Sequence, residues 1–139
     1  MLELNVPFLG PERARLQYPF GDLARAGARL CAGSDWPVTS PDPWDALHVA
    51  VNRQLPDHLV DRRYEPFLPE QSLDLATALT AYTEGSAWIN HADDAGRIAV
   101  GSRADLVIAD RDPFAGPAEE IAATEVVATF IEGRLVHAA

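Results

Sequence analysis

Lysine is absent from this 139-residue chain: all eleven basic residues are arginine. Schiff-base chemistry and a phosphate loop of the GxxxxGK type both need a lysine ammonium, so both are excluded. Cysteine is almost absent. Cys31 alone can form neither an intrachain disulfide nor a cysteine-rich zinc or iron–sulfur centre, and this usage points to a reducing, cytosolic setting. Positive charge is scarce as well. Twenty-one acidic residues against eleven basic give a net charge of −10, which disfavours DNA, RNA and anionic membrane surfaces as partners. No apolar run approaches the ~18 residues of a membrane span, and Pro7 interrupts a start that lacks the basic segment of a secretory leader. Length sets a further limit: a complete (β/α)8 barrel normally takes about 250 residues.

What is present suits a folded chain. Hydrophobic residues make up 47% and charged residues 23%, a globular rather than a disordered balance. Residues 1–19 carry Pro7, Pro11 and Pro19 and no sustained period, which predicts an irregular segment belonging to something larger. Asp22, Leu23 and Ala26 with Gly27 behind them predict a short helix closed by the glycine. Arg29–Gly33 follows as a short run bounded by breakers, the pattern of a buried parallel strand with Cys31 as an inert buried thiol.

Asp42, Pro43 and Asp45 occupy the N-cap, N1 and N3 positions of a second helix, whose apolar positions are Leu47, Ala50, Val51 and Leu55. Pro56, Pro66 and Pro69 predict loop and broken turns over 56–71. Ser72 is the expected cap of an amphipathic helix with Leu75, Leu79, Tyr82 and Ile89 on one side. From Gly96 the period shortens. Arg97–Val100 and Leu106–Ala109 are expected strands, 117–124 a helical turn, and VVATFIEGRLVH a hairpin across Glu132–Gly133. The compositional boundary falls near residue 94.

The sharpest chemical signal is Leu30-Cys31-Ala32-Gly33-Ser34-Asp35-Trp36-Pro37. A carboxylate at the C-terminal end of a buried strand is where α/β folds place ligands and catalytic groups. Asp35 can therefore ligate a divalent metal or act as base toward a water, or else simply cap the following loop. Trp36 beside prolines reads as packing rather than a pocket wall. Asp42 and Asp45 read as capping residues and His48 as a surface or lightly buried helix residue. His58, His91 and His137 form no HxH, HExxH or other closely spaced ligand pair. Asp105 and Asp110 mark strand ends returning to solvent. A mononuclear zinc site takes about three protein ligands plus water, and the residues by themselves offer Asp35 alone.

Four segments in order then carry a resemblance. GSDWPV with PDPWDAL, SLDLATALTAYTEGSAW, GRIAVGSRADLVIADRDPF and ATEVVATFIEGRLVH together resemble the C-terminal portion of the amidohydrolase 3 family, metal-dependent hydrolases of the amidohydrolase superfamily. The resemblance runs from about Tyr18 to Val136. It implies an α/β fold: the C-terminal fragment of a (β/α)8 TIM barrel over residues 1–94, and part of the adjoining small β-sandwich over 95–139.

By that resemblance Asp35 matches the aspartate ending the eighth barrel strand, which helps bind the catalytic metal and manages a proton of the attacking water. The implied activity is hydrolysis of non-peptide carbon–nitrogen bonds of a small amide- or formamide-type substrate. The implied cofactor is a divalent metal, zinc first, bound weakly or not at all by this chain alone. The family's His-x-His pair, its mid-barrel ligand and its two later histidines all lie upstream of the part represented. The expected role is therefore a share of a hydrolase completed by a missing barrel polypeptide, covalently joined or separate. The alternatives are a non-catalytic truncated remnant, or a structural, self-associating or complementing subunit of a split amidohydrolase.

Overall fold

The computed structural model describes residues 5–61 and 64–139; Met1–Leu4 of the irregular leading segment, and Arg62 and Arg63 of the proline-rich loop, lie outside them. Helix formation is clearest where local chemistry is strongest. The Asp42 carboxylate accepts a hydrogen bond from the Trp44 amide at 2.9 Å and Pro43 stands at N1, so a first turn with orphan amides is closed by the two residues suited to it. The resulting helix, Pro43–Asn52, ends where Arg53 turns left-handed at φ 56°.

In chain order the helices are α1 (Val6–Leu9), α2 (Pro11–Ala14), α3 (Phe20–Arg25), α4 (Pro43–Asn52), α5 (Leu75–Thr80) and α6 (Ser86–Ile89), with a π turn at Ala81–Gly85 joining the last two. Three strands follow: β1 (Leu106–Ala109), β2 (Val126–Ile131) and β3 (Arg134–Ala138), with a 3-10 segment at Ala118–Ala123 before β2. They form an antiparallel sheet in the order β1-β2-β3. The described residues thus form a mixed α/β structure of helices with a small antiparallel sheet. Its β2–β3 turn has Glu132 at φ 50° and Gly133 at φ 76°, the two left-handed residues that a tight two-residue hairpin demands and that glycine best supplies.

The core is small and lies between the helices and the sheet. Trp44 and Leu47 of α4, Ala78 of α5 and Ile121 of the 3-10 segment are buried together, ringed by Leu73, Leu75, Leu79, Tyr82 and Ala109. Asn52 Nδ2 donates to the Ala118 carbonyl at 2.8 Å and fastens α4 to the segment feeding β2. A second tie joins α3 to the 3-10 turn Pro69–Gln71: Gln71 Oε1 accepts from the Asp22 amide and Gln71 Nε2 donates to Asp22 Oδ2.

Several expectations are overturned. The leading segment contains two single-turn helices, each opened by a proline at its N-terminus, where the missing N–H costs nothing. Ser72 does not cap α5. Asp74 does, accepting from the Thr77 amide at 2.8 Å and the Thr77 hydroxyl at 2.7 Å. Leu55 lies past the end of α4 and is exposed, because the helix stops before its face would return to the core. Ile89 is exposed too: the π turn inserts one residue, rotating everything after it by about 100° relative to the Leu75–Leu79–Tyr82 face.

Residues 97–100 form no strand, and Ile98 and Val100 project into solvent. Their nearest backbone tie is the turn in which the Ser102 amide reaches the Ala99 carbonyl. Residues 29–33 make no ladder among the described residues, and Cys31 is exposed rather than buried. A parallel strand is buried only when neighbours cover both of its edges and faces; this segment has a helix on one side and solvent on the others.

Candidate functional site

Asp35 stands where the segment 29–34 leaves the helices. Its backbone is left-handed, φ 55°, a conformation that aspartate tolerates better than most residues but that still costs energy. The turn after it is closed by its neighbours rather than by its side chain. Ser34 Oγ accepts from the Trp36 amide at 3.2 Å, the Asp35 carbonyl accepts from the Val38 amide at 2.9 Å, and the Thr39 hydroxyl donates to the Ser34 carbonyl. Among the described residues no hydrogen bond or ion pair engages the Asp35 carboxylate. It is exposed to solvent, as is Trp36, whose 67% exposure overturns its expected packing role.

The segment that leads to Asp35 lies against the π turn. Ala32, three residues earlier, donates its amide to the Ala81 carbonyl at 3.1 Å, and its own carbonyl accepts from Ser86 Oγ at 2.7 Å. Arg29 stacks over the Trp88 ring at 4.8 Å and donates to the Glu84 carbonyl at 3.3 Å. A shallow groove bordered by Leu30, Thr77, Thr80 and Ala81 runs alongside, away from Asp35.

A second group of polar side chains lies on α4. His48 is more deeply buried than a surface or lightly buried helix position, with α4 packed against the 3-10 segment that carries Ile121. Asp45 is buried one turn earlier. His58 Nε2 lies 3.0 Å from Asp45 Oδ1, within ion-pair distance when the imidazole is protonated but out of line for a hydrogen bond. Periodicity could not reveal this pairing, since His58 arrives from the 3-10 turn Asp57–Leu59.

Burial holds the His48 imidazole below its ordinary value, against the opposing pull of Asp57, Asp45 and Glu119, while His58 adds to the lowering. The unfolded chain therefore binds a proton near the ordinary imidazole pKa of about 6.5 before the folded one does. Stability from this residue is fully present above that value and is lost as pH falls through it toward the lowered folded pKa. Urea midpoints measured from pH 7.5 to 5 should fall with pH, and His48→Gln should flatten that part of the profile; an equally steep profile in the variant would contradict the assignment.

Among the described residues no group of three or more His, Cys, Asp or Glu side chains could hold a metal ion. His91 and His137 are exposed on separate elements, and neither joins Asp35. Asp105 and Asp110 serve the sheet: Asp105 Oδ1 accepts from the Glu132 amide and Asp110 Oδ1 from the Glu125 amide, each at 2.8 Å. The three protein ligands of a catalytic zinc are therefore not assembled among the described residues.

The family model that describes amidohydrolases matches residues 2–137. The chain belongs to the amidohydrolase family. The chain is similar to the putative amidohydrolase YtcJ of Bacillus subtilis (strain 168), with 30% identity over 93% of its own length and 24% of the relative's. It is also similar to the N-substituted formamide deformylase of Arthrobacter pascens, with 28% identity over 85% of its own length and 21% of the relative's. The chain therefore spans less than a quarter of the length of either relative. No solved structure matches it.

Proposed function

We propose that this amidohydrolase chain supplies Asp35 to the active site of a hydrolase that acts on non-peptide carbon–nitrogen bonds, and that the remaining site residues lie outside these 139 residues. The observation that carries the reading is the family match over residues 2–137 by a chain that covers only 24% and 21% of two relatives. The substrate class we assign, small amides or formamides, follows the name of the formamide deformylase. On this reading residues 1–94 are the last part of a (β/α)8 barrel and 95–139 contribute strands to a small β-sandwich.

The surface supports that reading. The accessible area is 9472 Å², whereas a compact monomer of this mass exposes about 7,100 Å². The excess is the size of a substantial interface. Both faces of the sheet are left half-open, with Val107, Ile108, Ile131 and Leu135 all exposed. Apolar area of this extent is normally covered by further protein.

Asp35 suits proton work. Its carboxylate is not consumed by the turn it sits in, and a free carboxylate beside a substrate carbonyl can take a proton from the attacking water and return it to the leaving nitrogen. A divalent metal, held with ligands from the barrel portion, would polarise the carbonyl. Whether that portion is joined to this chain or separate, the task left to Asp35 is the same.

The test is a fusion in which this chain replaces the corresponding part of the Arthrobacter pascens deformylase. Turnover of an N-substituted formamide is expected, and Asp35→Asn should lower kcat by about 10²- to 10⁴-fold. A fusion as active with asparagine as with aspartate would refute the role.

A further inference from the structure

The π turn between α5 and α6 shows how the carboxylate-bearing segment is held. Within a regular helix the Ala81 carbonyl would be spent on the amide four residues on. Here the register slips by one, and it accepts from the Ser86 amide instead. The same carbonyl, with two lone pairs to offer, also receives the Ala32 amide at 3.1 Å and lies 3.1 Å from Ser86 Oγ. Ser86 Oγ donates to the Ala32 carbonyl at 2.7 Å. Both backbone groups of Ala32 are thereby satisfied by the helix, in place of the ladder that this segment lacks among the described residues.

Close approach makes this possible. A Cβ on Gly85 would stand 2.1 Å from the Leu30 carbonyl oxygen and 3.2 Å from the Cys31 Cα. Only glycine lets the segment lie directly on the helix backbone. Gly85 therefore opens the notch and Ser86 clamps the segment into it, three residues before Asp35.

We propose that Ser86 is a positioning residue for Asp35: through the Ala32 carbonyl and the Ala81–Gly85 π turn it fixes the axial position of the segment that presents the carboxylate. The functional meaning of that position rests on the proton-transfer reading of Asp35; the clamp itself does not.

The experiment is amide hydrogen exchange with NMR on the full chain. In Ser86→Ala the Ala32 amide should exchange about 3- to 10-fold faster, the loss expected for one hydrogen bond. The Asp35 carboxyl carbon signal should shift, while the β2 amides from Val126 to Ile131 keep their rates. Ser86→Thr, which retains the hydroxyl, should restore both. Unchanged Ala32 exchange, an unmoved Asp35 signal, no rescue by threonine, or a uniform rise that includes β2 would each overturn the proposal. Failure of the hydrolytic reading is separable: an active Asp35→Asn fusion would remove that reading and leave these exchange rates as they are.

Discussion

Gly85→Ala is expected to destabilise the chain by about 3 kcal/mol, the upper part of the range for overpacking a well-filled site. The reason is geometric. The added methyl would meet the Leu30 carbonyl oxygen at 2.1 Å, and both sides of that contact are backbone, so no rotamer change relieves it. Either the helix or the segment must move. Because the Ala32 amide and carbonyl are held by Ala81 and Ser86 across the same contact, movement also releases two hydrogen bonds. Urea unfolding at constant m-value is the measurement. Gly33→Ala is the control, since nothing lies within 4 Å of a Cβ there, and its effect should stay within about 0.5 kcal/mol. Equal shifts for the two variants would contradict the close approach.

Leu47→Ala should cost a further large amount, about 2–5 kcal/mol. Leu47 is 2% exposed and shares the core with Trp44, Ala78 and Ile121. A cluster this small cannot spread the loss over many neighbours. It also joins α4 and α5 to the segment preceding β2, so a cavity there loosens the junction between helices and sheet. Domain stabilities are commonly about 5–15 kcal/mol, and a loss of this size should leave a visibly unfolded fraction at moderate temperature. Leu55→Ala, at an exposed leucine beyond the end of α4, should change the midpoint little. A Leu47 variant as stable as the Leu55 variant would show that the core lies elsewhere.

Where structure follows from local chemistry, the sequence was legible. Asp42 and Pro43 specify the start of α4 because a cap and a proline act within one turn. Glu132–Gly133 specifies the hairpin because both turn residues must be left-handed. Leu106–Ala109 is bounded by Asp105 and Asp110 in the structure as in the pattern. Cys31 and the run Arg97–Val100 depart from the sequence pattern for a different reason. Apolar character suits a strand, but a strand also needs a hydrogen-bonded neighbour, and neither segment pairs with one among the described residues. The π turn left no trace in the periodicity: one inserted residue changes the face of everything after it without changing composition, and so displaced Ile89. The His58–Asp45 approach was hidden because it joins a helix to a loop across thirteen positions.

At the candidate site, the sequence singled out Asp35 as a candidate and left open whether its carboxylate caps the loop. The structure gives that capping to Ser34 Oγ and to backbone carbonyls. The clamp formed by Gly85 and Ser86 could not be read from pattern, since it depends on a contact between segments more than fifty residues apart, and the left-handed backbone of Asp35 leaves no mark in composition or periodicity.

Equilibrium dialysis of the purified chain against zinc tests the central claim most directly, namely that Asp35 is one contributor to a site that this chain does not complete. Well under one zinc per chain is expected, with the same value for Asp35→Ala. One tightly held zinc per chain that disappears in Asp35→Ala would contradict it.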